Sequence, residues 1–289
     1  MEYIQRIFSP SGIIAILKEQ NLSLKERYGQ NLLINRDLAA QIIQSSNIKN
    51  NDIVLEIGPG LGSLTFSMAG HTKYVVACEV DRGFAKFLEK KAQQLGVKNL
   101  CVINRDFLKL GEDDFPDNFR PNKAVSNFPY NIAIKGIIKI IEEFPWIKRI
   151  TGTVQEEIAQ RITAKPGSKS YSYVSVWIQS MAKVEYIIKK IAPSNFFPEP
   201  KIHSAVITIA PFEEHLSINP GLFKRIVKQG FVNRRKSLIN NLSSLGIDKG
   251  RLRAITTELF HDERVRAEEL SVKDFAALCE TVSLCLQES

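Results

Sequence analysis

The sequence lacks most of the features that mark the simplest functional classes. No apolar run approaches the ~20 residues needed to cross a bilayer, so no membrane-spanning helix and no membrane partner is expected. The N-terminal stretch holds only a short apolar patch, Ile13 to Leu17. It has neither a basic start nor a small-residue cleavage site, which argues against a secretory signal. Cysteine is scarce, with four in 289 residues, and Cys78, Cys101, Cys279 and Cys285 form no CxxC pair. That pattern points to reduced thiols in a cytoplasmic protein rather than a disulfide framework. His71, His203, His215 and His261 are scattered without metal-ligand spacing, so no metal site is expected. Internal repeats and low-complexity tracts are also missing.

What is present begins with charge. The net charge is +8, which favours a polyanionic partner. Its distribution says more: Lys224, Arg225, Lys228, Arg234, Arg235 and Lys236 fall in one short stretch with no acidic residue. This stretch is expected to form a basic helix that contacts phosphates.

From about residue 50, short β-branched runs alternate with segments of helical spacing. Strands are expected at Ile53–Ile57, Tyr74–Glu79, Leu100–Asn104, Lys123–Ser126 and Ile150–Gln155. Helices are expected near Leu64–Ala69, Phe84–Leu95 and Ile134–Glu143. This alternation implies an α/β fold with a parallel sheet covered on both faces. Lys183–Lys189 and Ser204–Ile209 are strand-like and joined by a proline-rich link, which suggests an antiparallel pair at one sheet edge. After Pro211 the spacing is helical throughout, placing a domain boundary near residue 212.

The clearest local signal is "VLEIGPGLGSLT" (Val54–Thr65), an apolar strand followed by Gly58, Gly60 and Gly62 and then a helix start. Glycines there let the backbone turn sharply and approach a ligand closely. A dinucleotide loop would place its third glycine at Ser63, and a phosphate loop would need Gly-Lys-Ser/Thr. Neither is met. The E-x-G-x-G-x-G form resembles the cofactor loop of S-adenosylmethionine-dependent methyltransferases. Two acids follow at successive strand ends: Glu79, suited to ribose hydroxyls, and Asp106, suited to an adenine amino group. Parallel sheets bind ligands at this edge.

The fourth strand ends in "SNFPYNIA" (Ser126–Ala133), at the same edge. The exocyclic amine of adenine is a poor nucleophile because its lone pair is delocalised into the ring. Acceptors on the amine hydrogens would draw the nitrogen toward tetrahedral geometry. Asn127 offers a side-chain oxygen, the backbone carbonyl near Pro129 a second acceptor, and Tyr130 a ring to stack on the base.

Asn127–Tyr130 resembles the Asn-Leu/Ile-Pro-Tyr motif of the ribosomal RNA adenine dimethyltransferases, with Phe128 at the usual Leu or Ile. "YGQNLLIN" (Tyr28–Asn35), "QEEIAQRITAKPGSKSYSYVSV" (Gln155–Val176), "PSNFFPEPKIHSAV" (Pro193–Val206), "FVNRRKSLINNL" (Phe231–Leu242) and "RAEELSV" (Arg266–Val272) resemble further segments of that family. The resemblance implies a Rossmann-like methyltransferase domain at 25–212, preceded by an N-terminal extension at 1–24. A helical RNA-contacting domain would follow at 213–289. It implies S-adenosylmethionine as cofactor, bound by Asn31, Leu33, Gly58, Glu79, Asp106 and Asn127, with S-adenosylhomocysteine as product. Asn127, Pro129 and Tyr130 would hold the target amine, and Phe196 would stack on the target base, with Phe197 as the alternative. Lys165 and Lys169 would join the basic segment in gripping RNA. The reaction implied is dimethylation of two adjacent adenosines near the 3′ end of 16S ribosomal RNA, within the small subunit or its precursor, by a monomer. Two other functions fit a chain of this kind: a non-catalytic nucleic-acid-binding relative, and a macrolide-resistance type of 23S ribosomal RNA methyltransferase. A DNA adenine methyltransferase would need a target-recognition insertion that is not seen.

Overall fold

A computed structural model describes residues 2–116, 119–214 and 218–287, the side chains of 286 and 287 excepted. His215 lies outside the described residues. The chain forms two compact units, Met1–Ala159 with Val184–Pro211, and Gln160–Lys183 with Phe212–Ser289.

The first unit is built on a seven-stranded sheet. In chain order the strands are β1 (Leu32–Leu33), β2 (Ile53–Ile57), β3 (Tyr74–Cys78), β4 (Leu100–Ile103), β5 (Lys123–Asn127), β6 (Arg149–Gln155), β7 (Ala182–Ile191), β8 (Phe196–Phe197) and β9 (Ser204–Pro211). The large sheet runs β4-β3-β2-β5-β6-β9-β7, and β1 pairs separately with β8. Strands β2 to β6 pair in parallel, and β9 returns antiparallel to β6, with Thr153 opposite Val206. The order reverses between β2 and β5, the switch point where a crevice opens beyond the strand ends. Strands β2 and β3 are buried along nearly their whole length, as expected for parallel strands covered on both faces. One face carries Val54, Val75, Val125 and Val206 under the helices Arg36–Ser46 and Ser63–Ala69, which contribute Ile42, Leu64 and Met68.

The N-terminal segment packs within the first unit. Ser9 caps the helix Pro10–Glu19 by accepting from the Gly12 N–H at 3.2 Å, with Pro10 in the first turn. Tyr3, Ile7, Ile13 and Ile16 then pack with Leu32, Leu61, Phe84 and Phe87. This apolar face anchors residues 3–24 in the first unit.

The second unit is helical, with Tyr173–Met181, Pro220–Gly230, Leu238–Leu242, Lys249–Phe260 and Val272–Gln287. Gln160–Lys183 belongs to this unit together with the chain from Phe212 onward. The reason is local pinning. The Gly167 N–H donates to the Glu268 carbonyl at 2.7 Å, and the Tyr171 hydroxyl to the Leu270 carbonyl at 2.9 Å. The basic run is not one helix either. The helix stops at Gly230, and Arg234, Arg235 and Lys236 lie in the turn beyond it. Asn241 is buried and donates to the Gly230 and Asn233 carbonyls at 2.7 and 3.0 Å, taking up the helix end.

Candidate active site

The site starts where β2 ends. Gly58, Gly60 and Gly62 all adopt left-handed backbone, with φ of 67°, 56° and 87°. Side-chain-bearing residues reach this region only at a cost. Space excludes them as well: a Cβ at Gly58 would lie 2.8 Å from Pro129 Cγ, and one at Gly60 2.5 Å from Leu32 Cδ2. The glycine loop therefore touches both the Asn-Phe-Pro-Tyr turn and the Tyr28–Asn35 segment, and three motifs far apart in sequence share one cradle. The β1–β8 pairing, Leu32 with Phe197 and Leu33 with Phe196, ties the Tyr28–Asn35 segment down. The Ser63 hydroxyl adds a bond to the Leu33 carbonyl at 2.8 Å.

A cleft in two lobes surrounds this cradle. Asn31, Leu33, Glu56, Glu79 and Asn127 line one lobe. Asp106, Phe107 and Arg105 line the other. Tyr28, Gly58, Val80 and Pro129 line both. All six expected cofactor residues thus line one or other of these two adjoining lobes at the β2/β5 switch point, and Pro129 with them. Tyr130 and Phe196 line neither.

Two carboxyls in the first lobe are deeply buried. Glu79 accepts from the Gly60 N–H at 3.2 Å and the Asp81 N–H at 2.9 Å, and burial pushes its pKa up to about 7. Glu56 accepts from the Thr65 hydroxyl at 2.6 Å, and burial pushes it up to about 8. Sequence reasoning placed Glu56 in the motif without a role. Its signal was an acid inside an otherwise apolar strand. Val80 was also missed, although it is a large apolar side chain left 39% exposed between two acids, suited to the face of a nucleobase. Asp106 is half-buried and caps the short helix Phe107–Lys109 by accepting from the Leu108 N–H at 3.0 Å.

Asn127 is half-buried at the end of β5. Its Nδ2 donates to the Asn31 carbonyl at 2.6 Å, and its Oδ1 accepts from the Thr153 hydroxyl. The Pro129 carbonyl accepts from the Ile132 N–H at 3.1 Å, closing the turn with one of its two lone pairs. Tyr130 is half-buried, its hydroxyl paired with Ser204, and burial raises its pKa. Phe128, which stands where Leu or Ile is usual, is 1% exposed. Gly152 on β6 makes room for the larger ring, since a Cβ there would lie 2.9 Å from it.

The expected stacking residue, Phe196, lies apart from the crevice. Phe196 is 0% exposed and sits in the core cluster with Leu33, Leu38 and Val206. In this conformation the ring has no face to offer a base, because its pairing with Leu33 turns it inward. Phe197 is half-buried and packs on the second cluster with Leu32 and Leu61.

A left-handed glycine turn, acids beyond successive parallel strands and a carboxamide at the switch point define an S-adenosylmethionine-dependent methyltransferase of Rossmann-like fold. The residues fit that cofactor. The two buried carboxyls can accept hydrogen bonds from hydroxyl or ammonium groups of that cofactor, and the glycines leave room for close backbone approach. The chain belongs to the ribosomal RNA adenine dimethylase family, whose pattern matches residues 21–283. Similar curated proteins include the ribosomal RNA small subunit methyltransferase A of Halothermothrix orenii, 36% identical over 96% of this chain and 94% of that protein. The protein of the same name from Borreliella burgdorferi is 38% identical over 95% of this chain and 94% of its own. Among solved structures, a dimethyladenosine transferase from Plasmodium falciparum aligns with TM-score 0.75 and 25% identity, covering 87% of this chain and 97% of that one. The 23S rRNA methyltransferase ErmE aligns with TM-score 0.66 and 25% identity, covering 87% and 99%. The chain is accordingly an S-adenosylmethionine-dependent ribosomal RNA adenine dimethyltransferase. Among the described residues no helix is long and apolar enough to cross a membrane.

Proposed function

We propose that the protein dimethylates the N6 amines of two adjacent adenosines near the 3′ end of 16S ribosomal RNA, acting as a cytoplasmic monomer during ribosome biogenesis. S-adenosylmethionine, when bound, supplies an electrophilic methyl group. Glu79 would hold the ribose, Asp106 the adenine amino group and Gly58 the amino-acid part. Asn31 and Leu33 would close the first lobe. Asn127 Oδ1 would accept one amine hydrogen, and the free lone pair of the Pro129 carbonyl the other. Pulled toward tetrahedral geometry, the nitrogen lone pair becomes available for in-line attack. The alkylated amine is acidic and releases its proton without a strong base. Catalysis then rests on positioning and charge complementarity. Tyr130, tethered through Ser204, would stack on the base. Phe196 has no role in this arrangement.

The observation that carries this reading is the clamped Asn127 carboxamide beside two buried acids at the switch point. The exposed Lys165, Lys169, Arg235 and Lys236 of the second unit would contact RNA phosphates. A macrolide-resistance type of 23S activity is the second reading, favoured by the likeness to ErmE. The small-subunit names of relatives at 36% and 38% identity favour the first. Counting methyl groups by mass spectrometry on 16S and 23S ribosomal RNA after incubation with the protein and cofactor decides between them. Four methyls on two neighbouring 16S adenosines are expected. Methyls on 23S RNA alone would overturn the proposal.

A further inference from the structure

We infer that Thr153 is a positioning residue for methyl transfer, acting through the Asn127 carboxamide. The inference rests on the role proposed above for Asn127 and adds a residue that no sequence motif marks.

The argument begins with strand register. β5 and β6 are parallel, and Asn127 lies directly beside Thr153. Neighbours in register project their side chains to the same face of a sheet. Thr153 is 0% exposed, and it lies next to Val154 in a strand that is otherwise almost wholly buried. A hydroxyl in such a place is costly unless bonded. Its β-branched side chain holds few rotamers, so the hydroxyl has a set direction, and it meets Asn127 Oδ1. Thr151, two residues earlier on the same strand and equally buried, shows the contrast: its hydroxyl has no partner. Burial in β6 therefore does not by itself supply a threonine with a bond. The bond arises where the strand passes the carboxamide.

The second half of the argument concerns the amide. A carboxamide can be flipped, exchanging donor and acceptor with little change of shape. The Asn31 backbone carbonyl can only accept, so it demands the NH2 group, which reaches it at 2.6 Å. That choice puts Oδ1 on the Thr153 side, where the hydroxyl must donate. Two partners with opposite demands thus hold one orientation of a group whose terminal torsion is otherwise broad. An amide oxygen has two lone pairs. Thr153 takes one and leaves the other for the amine of the target base. The clamp also joins chemistry to cofactor closure, because Asn31 belongs to the segment that lines the cofactor lobe.

The test compares Thr153→Val, which keeps the shape and removes the hydroxyl, with Thr153→Ser, which keeps the hydroxyl. Asn127→Ala serves as control. Single-turnover methyl transfer to ribosomal RNA, calorimetric affinity for S-adenosylmethionine and thermal midpoint are measured for each. Thr153→Val is expected to slow transfer about tenfold, the effect of one lost hydrogen bond, with cofactor affinity within about twofold of wild type. Thr153→Ser should recover most of the rate. Full activity in Thr153→Val overturns the inference, and so does an equal loss in both variants, which would mean packing alone. Should Thr153→Val fail to fold, Thr153→Cys, a weak donor of similar size, takes its place. If Asn127→Ala is inactive and Thr153→Val is intact, only the Thr153 role falls. If Asn127→Ala keeps wild-type transfer, the proposed chemistry falls and this inference with it.

Discussion

The cleft of the first unit and the basic surface of the second use charge in opposite ways. In the cleft, Glu56 and Glu79 are each 2% exposed and bonded to backbone or hydroxyl donors. In the second unit, Lys165, Lys169, Arg225, Lys228, Arg235 and Lys236 lie on the surface. Arg234 stands between these cases. It is paired with Glu268 at 2.7 Å and donates to the Lys169 carbonyl at 2.8 Å. Buried acids act through desolvation and fixed placement, and salt scarcely reaches them. Exposed charges act at range and are screened within about 10 Å at 0.1 M salt. In the function proposed above, cofactor binding and chemistry would belong to the first kind, and adhesion to RNA to the second.

Several experiments can break or sharpen this contrast. The largest effect is expected for Asn127→Ala, which should cut methyl transfer by about 100-fold or more and weaken cofactor affinity far less. An equal loss of both in calorimetry and mass spectrometry would deny Asn127 its separate role. Next, Glu79→Ala should weaken S-adenosylmethionine binding by about tenfold or more, the scale of one charged hydrogen bond, with no change in the salt dependence of RNA binding.

A third effect concerns pH. Glu56 and Glu79 rise from an ordinary value of 4.5 to about 8 and about 7 in the folded protein, because burial disfavours their charged forms. The stability this confers is complete below 4.5 and is lost as pH rises through 7 and then 8. The thermal midpoint of the free protein should therefore fall between about pH 5 and about pH 9, and Glu56→Gln should flatten that fall. A cationic guest reverses the preference, so cofactor affinity should rise with pH over the same window. An unchanged profile in Glu56→Gln would show that this carboxyl does not titrate there.

Smaller effects are expected at the second unit. Arg235→Ala with Lys236→Ala should lower the slope of log affinity for RNA against log salt by about two and leave cofactor binding untouched. Arg234→Ala should instead cost about 1 kcal/mol of stability, as a partly exposed ion pair does. If it proves to alter the salt slope and not the thermal midpoint, Arg234 belongs with its exposed neighbours.

The strands β2 to β6 were legible as short apolar, β-branched runs, and the parallel sheet followed from their alternation with helices. β1 and β8 were not legible. Two residues each carry no periodicity, and only their mutual pairing makes them strands. The same limit hid the place of the first 24 residues, whose apolar face acquires meaning only against Leu61, Phe84 and Phe87. It also hid residues 160–183, which are held by carbonyls near residue 268.

The sequence by itself determined the order of elements, the cofactor class and the identity of the groups at the strand ends, since local propensity and side-chain chemistry are properties of short segments. Only the tertiary structure decided that Phe196 turns inward, that Arg234 serves as a clamp and that Asn127 is held between Asn31 and Thr153. Those outcomes depend on which distant groups compete for the same buried space and the same lone pairs, and nothing in a local stretch of chain records that competition.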